Sequence, residues 1–397
     1  MSKVVVIGAG ASGIIAALQA SKNNDVILID GNDRPGKKIL ITGNGKCNYW
    51  NEDVTSDNYF CNNKNILSNI LNYKEEVLDY LYKIGLYPKV KNGYYYPASG
   101  LAQSVRQLFE TEINRNNITT KYITKVIDIK YTQNHFIIKI DAEEIIADKV
   151  ILATGSKAAP KTGSDGFGYE IASKFGHKIN QVLPALTGLL TNDNNIKEWA
   201  GVRCDAKLSL YINNIKELEE AGELQLTETG ISGICTFNIS SKVSTGLYNN
   251  DKIKVHINFV PNINDFKEFI ESRNKSLKNR TIEELLESII NYKLLNVILK
   301  KSDIKKDFYW DDLSIERKEL LIKNIIDFEL KINDTNSFDK AQVCTGGISL
   351  EEVNEYMESI YQKDLYIIGE LLDVDGKCGG FNLAFAFITG YIAGKNI

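Results

Sequence analysis

The chain has 397 residues, of which 43% are hydrophobic and 25% are charged, so it has the composition of a globular protein long enough for two or three lobes. Its formal net charge of −4 provides no basic excess to neutralise phosphates, which argues against nucleic acid as the main ligand. The six cysteines include no C-x-x-C pair and the three histidines show no ligand spacing, so the sequence predicts neither a disulfide framework nor a metal site.

The run from Val4 to Ala20 contains no charged residue and follows Lys3, which is the pattern of a short secretory signal. A buried strand that turns into a helix gives the same pattern. The glycines within the run and Asp30 beyond it favour the strand and helix. No other stretch reaches the length of a membrane span, so we expect a cytoplasmic protein without a membrane partner.

The first predicted unit is a strand, a turn, a helix and a second strand, over residues 4–7, 8–13, 14–20 and 25–30. Its turn reads G-x-G-x-x-G in the context that dinucleotide binding requires. The three glycines permit a tight turn, a close backbone approach to a pyrophosphate, and close helix–strand packing, and the phosphates meet the helix N-terminus. The candidate cofactor residues here are Gly8, Gly10, Ala11, Ser12, Gly13, Asp30 and Gly31.

Asp30 ends the second predicted strand, where a carboxylate can accept ribose hydroxyls and would repel a 2′-phosphate. We therefore do not expect NADP in this loop. An empty strand–helix turn is the alternative. FAD and NAD share the ADP half of the molecule, so this motif alone does not choose between them.

A second glycine-rich stretch, "GKKILITGNGKCNYWN", follows at 36–51, where a simple NAD dehydrogenase usually continues with another helix–strand unit. Its glycines allow N–H groups to face a ligand, and its lysines add positive charge, which suits an extended FAD better than NAD. A solvated basic loop is the alternative. The candidate residues here are Lys37, Lys38, Gly43, Gly45, Lys46, Cys47 and Asn48.

Two later segments also favour FAD. A predicted strand over 150–153 ends in Thr-Gly-Ser, and a second over 365–368 ends in Gly-Glu, where an acid can bind ribitol hydroxyls. A glycine-rich turn then precedes a helix that begins near Asn382 and can direct its positive end at a flavin; an ordinary amphipathic terminal helix is the alternative. The candidates are Ala153, Thr154, Gly155, Gly369, Glu370, Gly379, Gly380, Phe381 and Asn382.

With these motifs the chain resembles the YhiN/BaiN-like family of FAD-dependent oxidoreductases (aminoacetone-oxidase-like flavoproteins) over nearly its full length. The most specific blocks are K-K-I-L-I-T-G-N-G-K-C-N at 37–48 and G-E-L-L-D-V-D-G at 369–376. The resemblance implies that FAD is held by Ser12, Asp30, Lys37, Lys38, Gly43, Asp373, Asn382 and Leu383, with Val126 as a backbone contact to the adenine.

The chain departs from the family pattern at four positions. Asp30 replaces a usual Glu and Lys46 a usual Arg, changes that keep the charge needed for FAD binding. Phe381 replaces a usual Tyr and Ile360 a usual Lys, so a substrate contact through that hydroxyl or amine does not carry over.

The predicted fold is α/β, with a discontinuous Rossmann-like FAD-binding domain that carries an inserted small β-barrel or sheet and a helical domain. We place the FAD-binding domain at 1–186 and 337–397, the β-rich insert at 187–262 and the helical insert at 263–336. Helices are expected near 65–84 and 101–115. The inserts are expected to cap the flavin, and T-E-T-G-I-S-G at 227–233 either lines that cleft or is a plain turn before a helix.

The primary functional hypothesis is an FAD-dependent oxidoreductase that takes hydride from NADH or NADPH as a transient donor and reduces an unsaturated or carbonyl-conjugated small molecule. An oxidase of a small amine that releases hydrogen peroxide is one alternative, and a non-catalytic flavin-binding redox sensor or RNA-modification partner is another. Cys47 or Cys378 could be redox partners, although packed small residues fit them better. The residues identify no catalytic acid or base, and they leave the substrate and the oligomeric state open.

Overall fold

A computed structural model describes residues 1–141 and 143–397. Contacts divide this part of the chain into two units, Met1–Leu183 with Ala341–Ile397, and Pro184–Lys340. The first unit therefore joins the two ends of the chain, and its second segment returns after the whole of the second unit.

The first segment begins with β-α-β and continues through small antiparallel sheets. Its strands are β1 (Lys3–Ile7), β2 (Asp25–Ile29), β3 (Trp50–Asn51), β4 (Tyr59–Phe60), β5 (Pro88–Lys91), β6 (Tyr94–Pro97), β7 (Thr119–Lys121), β8 (Val126–Thr132), β9 (His135–Ile140), β10 (Glu144–Ala147) and β11 (Lys149–Leu152). Its helices are α1 (Ala11–Ala20), α2 (Lys64–Leu71), α3 (Lys74–Lys83), α4 (Ala102–Arg115) and α5 (Phe167–Lys174).

The second unit combines a sheet with helices, and β12 (Leu183–Ala185) straddles its start. Its further strands are β13 (Leu189–Leu190), β14 (Arg203–Ile212), β15 (Ile215–Thr227), β16 (Gly230–Ser232), β17 (Ile253–Asn258), β18 (Phe328–Ile332) and β19 (Asp334–Thr335). Its helices are α6 (Ile234–Tyr248), α7 (Phe266–Ser276), α8 (Ile282–Leu286), α9 (Tyr292–Lys301) and α10 (Ile315–Ile326). The closing segment of the first unit contains β20 (Val343–Thr345), β21 (Leu365–Ile367), β22 (Asp375–Gly376) and α11 (Phe381–Asn396).

A parallel sheet forms the centre of the first unit, in the order β21-β11-β1-β2-β7. β1 lies between two parallel neighbours, with Val5 opposite Ile27 on one side and Val150 on the other. These strands are apolar because helices cover both faces of a parallel sheet. The parallel direction brings the carboxyl ends of the strands to one edge, which is where ligands bind in such sheets.

Helices α1 and α11 pack against each other without side chains between them at two points. A Cβ atom placed on Gly390 would collide with the carbonyl oxygen of Ser12, and one on Gly394 would collide with that of Ala16. The two glycines are one helical turn apart, as are the two carbonyls, so the backbones approach closely along one line. The last helix of the chain is thereby fixed against the first.

The sheet of the second unit has the order β18-β17-β14-β15-β16-β13-β19 and shows two edge strands among the described residues, so it is a sheet and not a closed barrel. Its core includes Trp199, Leu208 and Phe328 and extends to the buried faces of α8 to α10. The motif at 227–233 forms the turn between β15 and β16 and then strand β16 itself, and Gly233 caps α6. The sequence predicted either a cleft-lining segment or a plain turn before a helix, and neither prediction included strand β16.

Two other predictions of secondary structure were wrong in part. The helix expected over 65–84 is broken at Asn72 and Tyr73, two residues of low helix propensity, into α2 and α3. Helices were expected throughout 263–336, but this stretch ends in β18 and β19. The alternating burial of Phe328, Leu330 and Ile332 is a strand pattern that follows directly on α10 without a turn signal.

Candidate functional site

The first glycine-rich loop lies at the carboxyl end of β1. Two of its glycines are packed against neighbouring backbone, and one faces open space. Gly8 has a φ of +104°, and a Cβ there would collide with the carbonyl oxygen of Ala153; a Cβ on Gly13 would collide with that of Gly8. These two glycines allow β1, α1 and β11 to pack. A Cβ on Gly10 would instead meet no atom within 4 Å. The face of the loop at Gly10 is therefore open to a ligand.

Asp30 ties this loop to the end of β2. Its Oδ2 accepts the Ala9 N–H at 2.6 Å, and its Oδ1 accepts the backbone and amide N–H groups of Asn32 at 2.7 and 2.9 Å. The Asn32 Oδ1 accepts from Lys37 Nζ at 2.8 Å. Since a carboxylate has about four acceptor sites, Asp30 can accept about one more donor, and not both hydroxyls of a ribose. Gly31 beside it is also open, with nothing near a Cβ position.

The second loop contains a 3-10 segment, Ile39–Gly45, and is shaped by left-handed backbone at Gly43, Asn44, Gly45 and Cys47, with φ values of 54°, 54°, 81° and 57°. Gly43 and Lys46 are exposed. The Asn48 amide, when oriented to donate, bonds the carbonyls of Trp50 and Tyr95 at 3.1 and 3.0 Å. Asn48 therefore anchors the loop to the protein.

Cys47 points into the protein and is fully buried. Burial raises the pKa of its thiol to about 12, although a hydrogen bond with Thr42 opposes the shift. A thiol with this pKa stays protonated at neutral pH, and the thiolate is the reactive form. The surroundings of Cys47 thus fit a packing role in the loop.

A half-buried ion pair joins the second loop to the end of β21. Lys38 Nζ lies 2.6 Å from Glu370 Oε2, and the two side chains are 20% and 23% exposed. The same carboxylate accepts from Ser156 Oγ at 2.9 Å, and the Tyr169 hydroxyl donates to the Glu370 carbonyl at 3.1 Å. Ser156 directly follows the predicted residues Thr154 and Gly155, so three separate segments meet at Glu370.

Asp373 lies in the same C-terminal motif. The resemblance implies that it holds FAD, but its carboxylate accepts hydrogen bonds from other residues of the protein. Its carboxylate accepts from Asn180 Nδ2 at 2.8 Å and from the Gly346 N–H at 3.0 Å. Burial raises the pKa of Asp373, and these two hydrogen bonds oppose that shift. Gly346 and Gly347 both have positive φ, so Asp373 holds the T-G-G-I turn.

The turn before α11 is packed against strands β3 and β6. A Cβ on Gly379 would lie 2.5 Å from Tyr94, one on Gly380 would collide with the Trp50 carbonyl, and Asn51 Nδ2 donates to Gly379 O at 2.9 Å. The Asn382 amide makes two hydrogen bonds of 2.8 Å with the backbone of Gly376. Phe381 is buried, while Asn382 and Leu383 are half-buried at the start of α11.

Val126 begins β8 and pairs with Ile140 next to a register shift. The segment just before it returns to Asp30, because the Thr124 N–H donates to the Asp30 carbonyl at 3.0 Å. Val126 therefore lies a short distance along the chain from the end of β2.

Most of the predicted residues thus converge on the carboxyl edge of the parallel sheet. The residues that meet there come from the first loop, the end of β2, the second loop, the end of β11 and the end of β21. Sequence reasoning missed Asn32 and Ser156. Asn32 follows the strand-tip acid by two residues, a spacing typical of Asx turns that could have revealed it, whereas the partner of Ser156 is 214 positions away.

A second buried cluster lies outside these motifs. His177 contacts Glu352 Oε2 through Nδ1 at 3.0 Å and Ser359 Oγ through Nε2 at 2.7 Å. Ser359 Oγ also accepts the N–H groups of Tyr361 and Gln362, both at 3.1 Å. A serine oxygen that anchors a turn in this way is not poised as a nucleophile, so the cluster is a structural connection between three chain segments.

The model of the HI0933-like protein Rossmann domain matches residues 2–396. The chain belongs to this family. The match confirms the resemblance given by the motifs, and the parallel sheet with its glycine-rich loops confirms the predicted Rossmann-like α/β class.

Named relatives match the chain over almost its whole length. It is 38% identical over 403 residues to a 3-dehydro-bile acid Δ(4,6)-reductase of Clostridium scindens, covering 100% of this chain and 98% of the relative. It is 26% identical over 399 residues to a ribosomal RNA dihydrouridine synthase of Escherichia coli, covering 99% and 97%. The chain is therefore an oxidoreductase of the flavoprotein class.

Among solved structures, a 3-ketosteroid Δ4-(5α)-dehydrogenase from Rhodococcus jostii RHA1 superposes with a TM-score of 0.52. It is 12% identical and covers 99% of this chain and 96% of that one, a likeness that concerns the fold alone. Within the described residues, no helix has the length and apolar character to cross a bilayer, and no three His, Cys, Asp or Glu side chains are grouped to hold a metal ion.

Proposed function

We propose that this protein is an FAD-dependent reductase that takes hydride from NADH or NADPH and reduces a carbon–carbon double bond conjugated to a carbonyl group in a small molecule. The observation that supports this most is the full-length relative named a bile acid Δ(4,6)-reductase, together with a glycine-rich loop whose Gly10 face is open. In the overall reaction the double bond gains one hydride and one proton, and the nicotinamide is oxidised.

The residues at the carboxyl edge of the sheet fit FAD. The N–H groups of Ala11 and Ser12, at the N-terminus of α1, would face the pyrophosphate across the open side of Gly10. Asp30 would accept one ribose hydroxyl, and Lys37 and Lys38 would add positive charge. Glu370 would bind the ribitol side, held in position by Lys38 and Ser156.

A bound flavin accepts and donates hydride, and the protein contributes position, charge and exclusion of water. In this proposal Asp373 and Asn382 act indirectly. Asp373 holds the turn at Gly346, and Asn382 ties the start of α11 to Gly376, which fixes the positive end of that helix.

The first experiment is an anaerobic visible spectrum of the purified protein before and after addition of NADH or NADPH. Yellow protein that bleaches, and recovers its colour when a conjugated ketone is added, would support the reductase. Colourless protein that cannot be reconstituted with FAD would overturn it. Yellow protein that only an amine reduces, with release of hydrogen peroxide, would favour the amine oxidase.

A uracil base in RNA is a second candidate substrate, favoured by the two relatives named ribosomal RNA dihydrouridine synthase, from Escherichia coli and Haemophilus influenzae. The uracil double bond is also conjugated to a carbonyl, so the chemistry is the same. The acidic net charge led us to expect no nucleic-acid partner, and this stays a prediction. Dihydrouridine formed in unmodified ribosomal RNA, with no reduction of a steroid enone, would select the RNA substrate.

A further inference from the structure

Arg106 on α4 is buried, and among the described residues not all of its N–H donors have a hydrogen-bond partner. Arg106 is 7% exposed, and its Nη1 donates to Glu110 Oε2 at 3.0 Å, while the Glu110 side chain is 42% exposed. The Arg106 Nε is buried and has no hydrogen-bond partner among the described residues. A guanidinium carries five N–H donors, and burying a charge with unpaired donors is costly.

Arg106 lies close to the first glycine-rich loop, to which Gly36 connects it. Its Cγ is 3.4 Å from the position of a Cβ on Gly36, so its stem packs on that glycine. The Gly36 N–H donates to the Ala9 carbonyl at 2.8 Å, and Ala9 is the residue before Gly10. Gly36 therefore contacts both the arginine stem and the first glycine-rich loop.

Arg106 also lies within electrostatic range of the end of β2. The backbone of Asp30 bonds to Lys121 on one side and Thr124 on the other, which places Tyr122 beside it. Burial raises the pKa of Tyr122 to about 12; Glu110 and Asp30 add to the shift, and Arg106 opposes it. Asp30, Tyr122 and Arg106 thus belong to one neighbourhood, at the end of the site where a ribose and its base would bind.

We infer that Arg106 binds the adenosine end of the dinucleotide, with its Nε–H as the donor; this rests on the proposed function. Asp30 supplies only acceptors, which suit ribose hydroxyls, whereas the ring nitrogens of adenine and the ribose oxygens need donors. A buried guanidinium supplies them and can also lie against a base. The adenosine moiety is common to FAD and NAD(P), so the contact recognises adenosine and not the flavin.

The test compares Arg106→Met and Arg106→Lys with Arg115→Met, a change on the same helix at a side chain that is 73% exposed. The readout is the dissociation constant of FAD, from the rise in flavin fluorescence when purified holoprotein is diluted. We expect Arg106→Met to weaken FAD about 10- to 100-fold and Arg115→Met to leave it unchanged. Arg106→Lys, which keeps the charge but loses the planar donors, should lie between them.

A second readout separates the contact from a general loss of structure. AMP should compete with FAD for the wild-type protein and compete more weakly, relative to FMN, for a folded Arg106 variant. Arg106→Lys decides the question if Arg106→Met does not fold. FAD and AMP binding unchanged in a folded Arg106 variant would overturn the inference, whereas wild-type protein that binds no FAD would overturn the proposed function instead.

Discussion

Lys38 Nζ and Glu370 Oε2 lie 2.6 Å apart although the two residues are separated by 332 positions in the chain. One comes from the lysine-rich second loop and the other from the end of β21. Their half-buried pair joins the early and late parts of the candidate cofactor site, and Ser156 completes it. The pair therefore contributes to the stability of the fold as well as to the shape of the candidate cofactor site.

We expect Lys38→Met and Glu370→Gln to be non-additive. Removing either partner leaves the other half-buried charge unpaired, so each single change should lower the free energy of unfolding by about 1–3 kcal/mol, with a coupling of about 1 kcal/mol. Urea unfolding of the two single variants and the double variant measures this coupling. The exposed pair Lys83 and Asp79, with side chains 70% and 58% exposed, provides the control cycle, which should give almost none.

Gly8→Ala and Gly10→Ala should separate stability from binding. Gly8 has a positive φ and no room for a methyl group, so its replacement should cost about 2–4 kcal/mol of unfolding free energy. Gly10 has a φ of −81° and open space, so alanine there should change stability by about 1 kcal/mol or less.

Gly10→Ala should have little effect on stability but a large effect on FAD binding. A methyl group on the open face should weaken FAD at least about tenfold in a fully folded protein. Flavin content on purification and FAD titration by fluorescence measure it. Gly10→Ala that binds FAD as tightly as the wild type would contradict the placement of the pyrophosphate at this loop.

Protonation of His177 should destabilise the fold in mild acid. Burial lowers the pKa of His177 although Glu352 opposes the shift, so the native state binds fewer protons than the unfolded chain. The contribution to stability is therefore complete above the unfolded pKa of about 6.5 and is lost as the pH falls towards the folded pKa. This loss of stability is measured by the urea midpoint of unfolding between about pH 5 and 8, which is about 1.5 pH units on either side of the unfolded pKa.

Two variants test the origin of that pH dependence. His177→Gln should flatten the slope, while His135→Gln, at a half-exposed side chain, should not. Ser359→Ala should cost about 1–3 kcal/mol because the hydroxyl bonds His177 and two backbone N–H groups. An unchanged slope in His177→Gln would assign the acid sensitivity to other groups.

Cys47→Ala should leave flavin reduction and turnover within about twofold of the wild type, because the buried thiol with a pKa of about 12 is not ionised at neutral pH. Stopped-flow absorbance of the flavin measures the reduction rate. Cys378→Ala, at a half-buried position, is the companion variant. A large loss of rate in a folded Cys47→Ala protein would revive a redox role for this thiol.

The sequence predicted the glycine loops and the parallel strands because these depend on local patterns: an apolar run, three glycines at fixed spacing and an acid at the strand end. It did not predict the partners of polar side chains. Asp373 and Asn382 belong to recognisable motifs, yet their hydrogen bonds go to Gly346 and Gly376. Strand β18 was missed because its alternating pattern follows a helix without a turn signal, and only pairing with β17 makes it a strand.

The packing of Gly390 and Gly394 on the carbonyls of Ser12 and Ala16 cannot form during biosynthesis until both helices have been translated. The apolar helix α1 is translated before the whole of the second unit, whereas α11, which packs directly on its backbone, is translated after that unit. Until α11 has been translated, α1 and the first glycine-rich loop therefore lack this support, and the nascent chain carries an uncovered hydrophobic helix throughout the synthesis of the second unit. Chaperone contact with the nascent chain should concentrate in that interval.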